Sequence, residues 1–444
     1  MALKLHNKFM NNYLAYVRKS SESPERYHVW SALAGAGALS VRKTWLDLGS
    51  VRHYPNQYIV LVGPTASRKS SAMKIMKHLI KESGTYVKYS PTDTAGARQG
   101  LLAALKGDVS YGDSDEALSA EFSEAALMNV DMSAIDNKVS ELFVYSSQFS
   151  SFLGQKQFDL LQCLSYCYDN PDEYTYKLKQ TEEYVYKPTM SVLAACSPEN
   201  LYSCLPNNAA GMKFIARCML VYGAKGERKL PRPQALSKEF AEKHLLENIR
   251  FCREHTGPFK ETEGAQKALD AMYQVEPRMN DSRFLDYASL RFAHLCKAVM
   301  NFALIDGRDT ITVNDVNDAR ILMEETEELM THALGEYGLN PISLAKQRIM
   351  EIINALDEDS FMTDDEIYNL INRDVPLRDF NAALRELHVT ERIVRIQGQT
   401  ADGTRNMFKY MAIQRLSQAE RDKLLENGKT DWKALLGDSS ETNH

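Results

Sequence analysis

The run Tyr58-Ile59-Val60-Leu61-Val62 is uncharged, rich in β-branched residues and followed at once by Gly63-Pro64. A short apolar run closed by turn residues reads as a strand buried on both faces. The chain then continues Gly63-Pro64-Thr65-Ala66-Ser67-Arg68-Lys69-Ser70-Ser71 into a helical pattern over Ser70–Lys81. Strand, tight loop, Lys-Ser and helix in that order make a phosphate-binding loop. Its backbone N–H groups and the helix N-terminus face anionic oxygens. Lys69 is placed to reach the β- and γ-phosphates of ATP, and the Ser70 hydroxyl to hold Mg²⁺. Arg68 stands where the motif's second glycine belongs. The competing explanation is a strand-to-helix turn that carries Lys-Ser by chance.

The pattern around this loop predicts an α/β fold. Thr85–Tyr89 reads as a second strand, Leu142–Tyr145 as a third, Met190–Ala195 as a fourth and Cys218–Val221 as a fifth, with helices at Thr94–Leu105 and Phe158–Tyr168. Strands alternating with helices after a phosphate loop imply a three-layer core. Ahead of it, residues 1–50 form a helical segment whose Trp30–Leu39 run suits a buried helix, and Trp45–Leu48 a short strand. The core then covers 51–232 and ends at Arg228–Pro233. Residues 233–338 are helical by periodicity, as a lid. Residues 343–412 give three helices, with Thr363 as an N-cap, then a hairpin around Asp402-Gly403, the order of a winged helix. The segment 413–444 is a polar tail.

The formal charge of −6 argues against a chain that coats nucleic acid with its whole surface. Eight of the acids, however, lie in 107–137, which has no Lys or Arg, so the remainder is mildly basic. That acidic stretch reads as a solvated insertion. The seven cysteines form no CxxC pair and read as reduced core thiols. With no apolar run long enough to span a membrane and no leader pattern, a cytoplasmic location is expected.

In a phosphate-loop ATPase the third strand ordinarily ends on an acid pair, one carboxylate for Mg²⁺ and one for the attacking water. Here it ends Val144-Tyr145-Ser146-Ser147-Gln148-Phe149. Gln148 can orient a water but cannot take its proton. Either Gln148 is native and hydrolysis is weak, or it replaces a Glu and traps bound ATP.

The order of these motifs resembles AAA+ ATPases of the hexameric helicase branch, which includes the minichromosome maintenance helicases, and is similar to phage replicative helicases. The resemblance spans 55–410, with matches confined to short motifs. It implies that Ser147 and Gln148 occupy the acid positions and that Ser147 assists Ser70 at the metal. It puts Ser197, in Ala195-Cys196-Ser197-Pro198, at a polar sensor, and Arg217, in Ala216-Arg217-Cys218, at an arginine finger acting on a neighbouring subunit. Arg283, in Asp281-Ser282-Arg283-Phe284, becomes the second sensor, with Arg291 as the alternative. The resemblance also implies a homo-hexamer, ATP and Mg²⁺ as cofactors, and a bacterial host cytoplasm if the chain is phage-encoded.

The segment Glu173–Lys187 alternates as a hairpin around Gln180-Thr181-Glu182-Glu183. In the resembled helicases a hairpin here meets single-stranded DNA. Lys177, Lys179 and Lys187, with Tyr174, Tyr176, Tyr184 and Tyr186 interleaved, suit a phosphate backbone and stacked bases. A cross-strand tyrosine ladder packed on the core explains the same pattern. In the C-terminal domain Arg373, Arg378, Arg385, Arg392, Arg395, Arg405 and Lys409 are mixed with Asp374, Asp379, Glu386 and Glu391, which suits docking of other replication proteins as well as DNA. The expected function is therefore an ATP-dependent, ring-forming DNA helicase or translocase. The alternatives are an initiator or helicase loader, and an assembly protein with weak hydrolysis.

Overall fold

A computed structural model describes residues 3–90, 98–106, 140–154, 157–177, 182–206, 209–224, 229–275, 281–335, 341–356, 362–372, 375–390, 392–399 and 406–412. The acidic stretch 107–137, Lys179, the linker 336–340 and the tail 413–444 lie outside these residues. So does the start of the helix expected at Thr94, which is described from Arg98 to Lys106. The chain divides into two compact units, 1–337 and 338–444.

The first unit is built on a parallel sheet of β1 (Tyr58–Val62), β2 (Glu141–Ser146), β5 (Thr189–Cys196) and β6 (Cys218–Tyr222), in the order β2-β5-β1-β6. An antiparallel hairpin, β3 (Glu173–Lys177) and β4 (Glu182–Tyr186), intervenes in sequence before β5. β1 and β5 are buried at every residue, as their apolar runs require. The register sets Val62 level with Cys196 and with Tyr222, so these strands end together. This is an α/β unit with a parallel sheet, compatible with a three-layer core.

The strand expected at Thr85–Tyr89 shrinks to one parallel bridge, Tyr89 to Phe143. Among the described residues, Phe143 N to Lys88 O (2.8 Å) and Ser90 N to Phe143 O (2.9 Å) are the backbone bonds that hold it. The next residue is Pro91, which has no N–H to continue a ladder.

Residues 1–50 and the lid share the core's apolar interior. The helix Glu25–Ser40 is buried from Tyr27 to Ser40. Its small Ala and Gly side chains let neighbours approach on all sides. Trp30 Nε1 donates to Thr326 Oγ1 (2.8 Å) on the lid helix Val313–Leu334. The His6 and Asn7 amides donate to the buried Asp318 carboxylate at 2.8–2.9 Å. The lid's other long helix, Leu285–Ile305, is buried over most of its length. All seven cysteines are buried, and none forms a disulfide. Among the described residues no helix is long and apolar enough to cross a membrane.

The second unit has helices Pro341–Ala355, Asp364–Ile371 and Leu377–Val389 around a core that includes Ile349, Ile367, Phe380 and Leu384. Thr363 caps the middle helix in a reciprocal box with Glu366. The expected hairpin pairs Ile393–Gln399 with Asn406–Ala412, and Met362–Thr363 adds a third strand.

Candidate nucleotide site at the carboxyl end of the sheet

Three segments singled out in the sequence leave the carboxyl ends of adjacent parallel strands. Gly63–Ser71 follows β1, Ser147-Gln148 follows β2, and Ser197 follows β5, which lies between them. A crevice outside the carboxyl ends of parallel strands is where α/β sheets bind ligands.

The loop is shaped before any ligand enters. Ala66 and Arg68 both take positive φ, 68° and 62°. Glycine holds that conformation without strain, and other residues hold it only when their surroundings compensate. For Arg68 the compensation is visible. Its guanidinium pairs with Glu22 (2.7 Å), and its carbonyl accepts from Ser23 Oγ (2.7 Å). Glu22 also accepts from Leu230 N (2.9 Å). The loop's base is equally tight. A Cβ on Gly63 would stand 2.4 Å from Gly223 O, and one on Gly223 would stand 2.6 Å from the Tyr27 ring. The Tyr27 hydroxyl donates to Val62 O (2.7 Å). Glu22, Tyr27 and Gly223 were not singled out in the sequence, and Ser23, before Pro24, signals only a helix start; a glycine directly after the buried strand Cys218–Tyr222 was the available signal for this contact.

Lys69 Nζ turns back on the loop, donating to Gly63 O (2.6 Å), Pro64 O (2.9 Å) and Ser67 Oγ (3.2 Å). Burial holds its pKa below the usual lysine value, with Cys196 and Glu199 opposing. Its ammonium thus sits in a half-buried site with neutral acceptors that an anion can replace. Ser70 and Ser71 are partly buried at the helix start. Burial pushes the neighbouring Cys196 thiol up to about 11, so it stays protonated.

Ser147 and Gln148 are exposed, and Gln148 stands at the N-cap position of the short helix Phe149–Leu153 without a side-chain capping bond. Ser197 caps the helix Pro198–Cys204 by accepting from Asn200 N (3.3 Å). Glu199, in that helix's first turn, is a carboxylate close enough to raise the Lys69 pKa. For Mg²⁺ the chain offers the Ser70 and Ser147 hydroxyls. Such a set fits an ion that keeps most of its waters and takes substrate phosphate oxygens.

Arg283 closes the same side. It pairs with Asp281 (2.6 Å) and donates to Gly335 O (2.8 Å). A Cβ on Gly335 would lie 3.4 Å from Pro198 Cβ, so the lid arginine stands beside the Ser197 turn. Arg291 is fully engaged elsewhere, bidentate to Glu327 at 2.7 and 3.0 Å. Both arginines are about 8 % exposed.

Arg217 lies at the other end. It precedes β6, whose Cys218 is level with Tyr58 at the start of β1. The five strand residues Cys218–Tyr222 separate it from Gly223 at the loop, six steps of about 3.3 Å or roughly 20 Å. An arginine cannot span that distance within its own chain. Its guanidinium pairs with Asp169 (2.7 Å) and donates to Lys213 O (3.1 Å).

The hairpin base shares this amino end. Ser140 N donates to Tyr186 O, and Lys187 N to Asp172 O. The register pairs Tyr174 with Val185, Thr175 with Tyr184 and Tyr176 with Glu183, so no tyrosine faces another across the strands. A tyrosine ladder is therefore not what forms. Tyr184 is exposed, Val185 is buried, and Lys187 Nζ lies 5.1 Å from the Tyr186 ring centre. Lys177 pairs in register with Glu182. In the second unit Arg378, Arg385 and Arg392 are exposed, as is Glu386, which pairs with Lys346 at 2.7 Å. Arg373, Asp374, Glu391 and Arg405 lie outside the described residues. No known protein family matches the chain, and no curated protein is similar to it in sequence.

Proposed function

We propose that this chain is an ATP-dependent, ring-forming DNA helicase or translocase with an AAA+ ATPase core, acting in phage-type DNA replication. The carrying observation is the division of the expected machinery between the two ends of one sheet. The phosphate loop, Gln148, Ser197 and Arg283 gather at the carboxyl end, and Arg217 is stationed about 20 Å away, where only a neighbour's nucleotide could meet it.

ATP phosphates would take over the Lys69 donors now given to Gly63 O and Pro64 O. The exchange replaces neutral acceptors by an anion in a half-buried site, where charge-assisted bonds are stronger. Mg²⁺ would sit on Ser70, with Ser147 beside it, and supply charge neutralisation of the phosphates. Gln148 orients a water without accepting its proton. Arg217 from the next copy would steady the transferring phosphoryl group. The hairpins, with Lys177, Lys179 and Lys187, would line the ring's channel against single-stranded DNA, and the second unit would dock replication proteins or DNA.

Ser147-Gln148 favours a second reading, an initiator, loader or assembly protein that binds ATP but hydrolyses it slowly. Strand displacement and ATP turnover by the chain and by Gln148→Glu, with Lys69→Ala as control, separate these. Unwinding by Gln148→Glu supports the helicase. Nucleotide-dependent assembly without unwinding supports the second reading. Normal ATP binding by Lys69→Ala removes both.

A further inference from the structure

We propose that Asp169 is a positioning residue for Arg217, holding its guanidinium on its own subunit until a neighbour's nucleotide replaces it. The inference rests on the trans-acting role proposed above for Arg217. Arg217 Nη2 donates to Asp169 Oδ2 (2.7 Å) and Nη1 to Lys213 O (3.1 Å), while Nε is buried with no hydrogen-bond partner among the described residues. Both terminal nitrogens, the ones a phosphate would need, are thus committed within the chain.

The commitment is reversible on physical grounds. Asp169 is 53 % exposed, so solvent screens the pair. Such pairs shift an equilibrium by only about 1.5- to 5-fold. A triphosphate carries more negative charge than one carboxylate and takes an arginine in charge-assisted, bidentate hydrogen bonds. A neighbour's triphosphate therefore outcompetes Asp169, and the absence of one returns Arg217 to it.

Asp169 also belongs to the hairpin's base. It follows the helix Phe158–Tyr168 and leads through Asn170-Pro171-Asp172 into β3. Arg42 holds that turn through Pro171 O (2.7 Å) and Asp172 Oδ1 (3.1 Å), and Lys187 N bonds Asp172 O (2.7 Å). Transfer of Arg217 to a neighbouring nucleotide thus removes one side-chain restraint from that turn, which stays held by Asp169 N to Tyr166 O (3.3 Å) and by Asn170 Nδ2 to Asn56 Oδ1 (2.7 Å).

The test is ATP-dependent assembly, followed by sedimentation velocity over a range of protein concentrations with Mg²⁺-ATP. Asp169→Asn, which keeps shape but loses charge, is expected to assemble at about 2- to 5-fold lower concentration than the parent with ATP and to match it without nucleotide. Asp169→Glu restores the parent midpoint. In an Arg217→Ala background Asp169→Asn has no further effect, because the partner it restrains is gone. Circular dichroism and thermal melting confirm that each variant folds. An unchanged midpoint for Asp169→Asn, or a shift that persists without Arg217, overturns the proposal while leaving the role of Arg217 intact. An Arg217→Ala chain that assembles and turns over ATP like the parent removes the underlying reading, and the proposal with it.

Discussion

At the carboxyl end of the sheet, Glu22, Ser23 and Tyr27 brace the loop from far along the chain, but the lysine inside the loop bonds to near neighbours. Lys69 donates to Gly63, Pro64 and Ser67, all within six residues. At the amino end polar groups bond through the interior to distant elements. His294 Nε2 donates to Ala216 O (2.9 Å), and its Nδ1 accepts from the Tyr168 hydroxyl (3.1 Å). Lys297 Nζ donates to Asn56 Oδ1 (2.6 Å) and Tyr54 O (3.1 Å), and lies 4.5 Å from the Tyr168 ring centre. Local bonds can be exchanged for a ligand without unfolding anything. The buried network fixes the lid helix to the residue before Arg217 and cannot be exchanged so cheaply. On the proposed function, one end binds the nucleotide and the other holds an arginine in place.

Four perturbations bear on this contrast, in falling order of effect. Arg217→Ala in the Gln148→Glu background is expected to lower turnover by about 10³ while the ATP affinity of the unassembled chain stays unchanged. Loss of affinity instead would place Arg217 in its own chain's site. Lys69→Ala is expected to weaken ATP binding by about 100-fold, measured by a fluorescent nucleotide titration, since it deletes a charge-assisted donor.

The third concerns His294 and pH. Burial, first, with Lys297 and Arg217 charges also lowering it, brings His294 down to about 4. The folded chain keeps the ring neutral, whereas the unfolded chain protonates it near 6.5. The unfolded state binds more protons between those values, so the stability from this group is complete above 6.5 and is lost as pH falls toward 4. The loss is about 3 kcal/mol. Denaturant melts at pH 6.5 and 4.5 are expected to differ less in His294→Asn than in the parent. Equal differences would dismiss the histidine as a coupling point.

The fourth probes the loop backbone. Arg68→Val, a β-branched residue at φ 62°, is expected to cost about 1–2 kcal/mol in a denaturant melt, and Arg68→Gly less than about 1 kcal/mol either way. A Gly as costly as Val would mean the side chain, not the backbone, matters at 68.

The elements of the first unit were legible because buried parallel strands are written as uninterrupted apolar runs. Tyr58–Val62 and Cys218–Tyr222 needed no tertiary information. The strand at Thr85–Tyr89 was not legible, because whether a short run pairs along its length depends on what lies alongside it. The hairpin's existence could be read, but its register could not. A one-residue change would have put tyrosines opposite each other. The site was legible where chemistry follows chain order, as in Lys69-Ser70. It was illegible where a group acts from far along the chain. Glu22 meets Arg68 across 46 positions, and Asp169 meets Arg217 across 48. No local pattern encodes such pairs.

The central claim is that Lys69 of one copy and Arg217 of another serve the same nucleotide. Lys69→Ala and Arg217→Ala chains, each in the Gln148→Glu background, can be mixed and their ATP turnover measured against either alone. The account predicts that the mixture recovers turnover neither chain has by itself, because some interfaces then join an intact phosphate loop to an intact arginine. Mixed assemblies that form yet remain as inactive as their parts would contradict it.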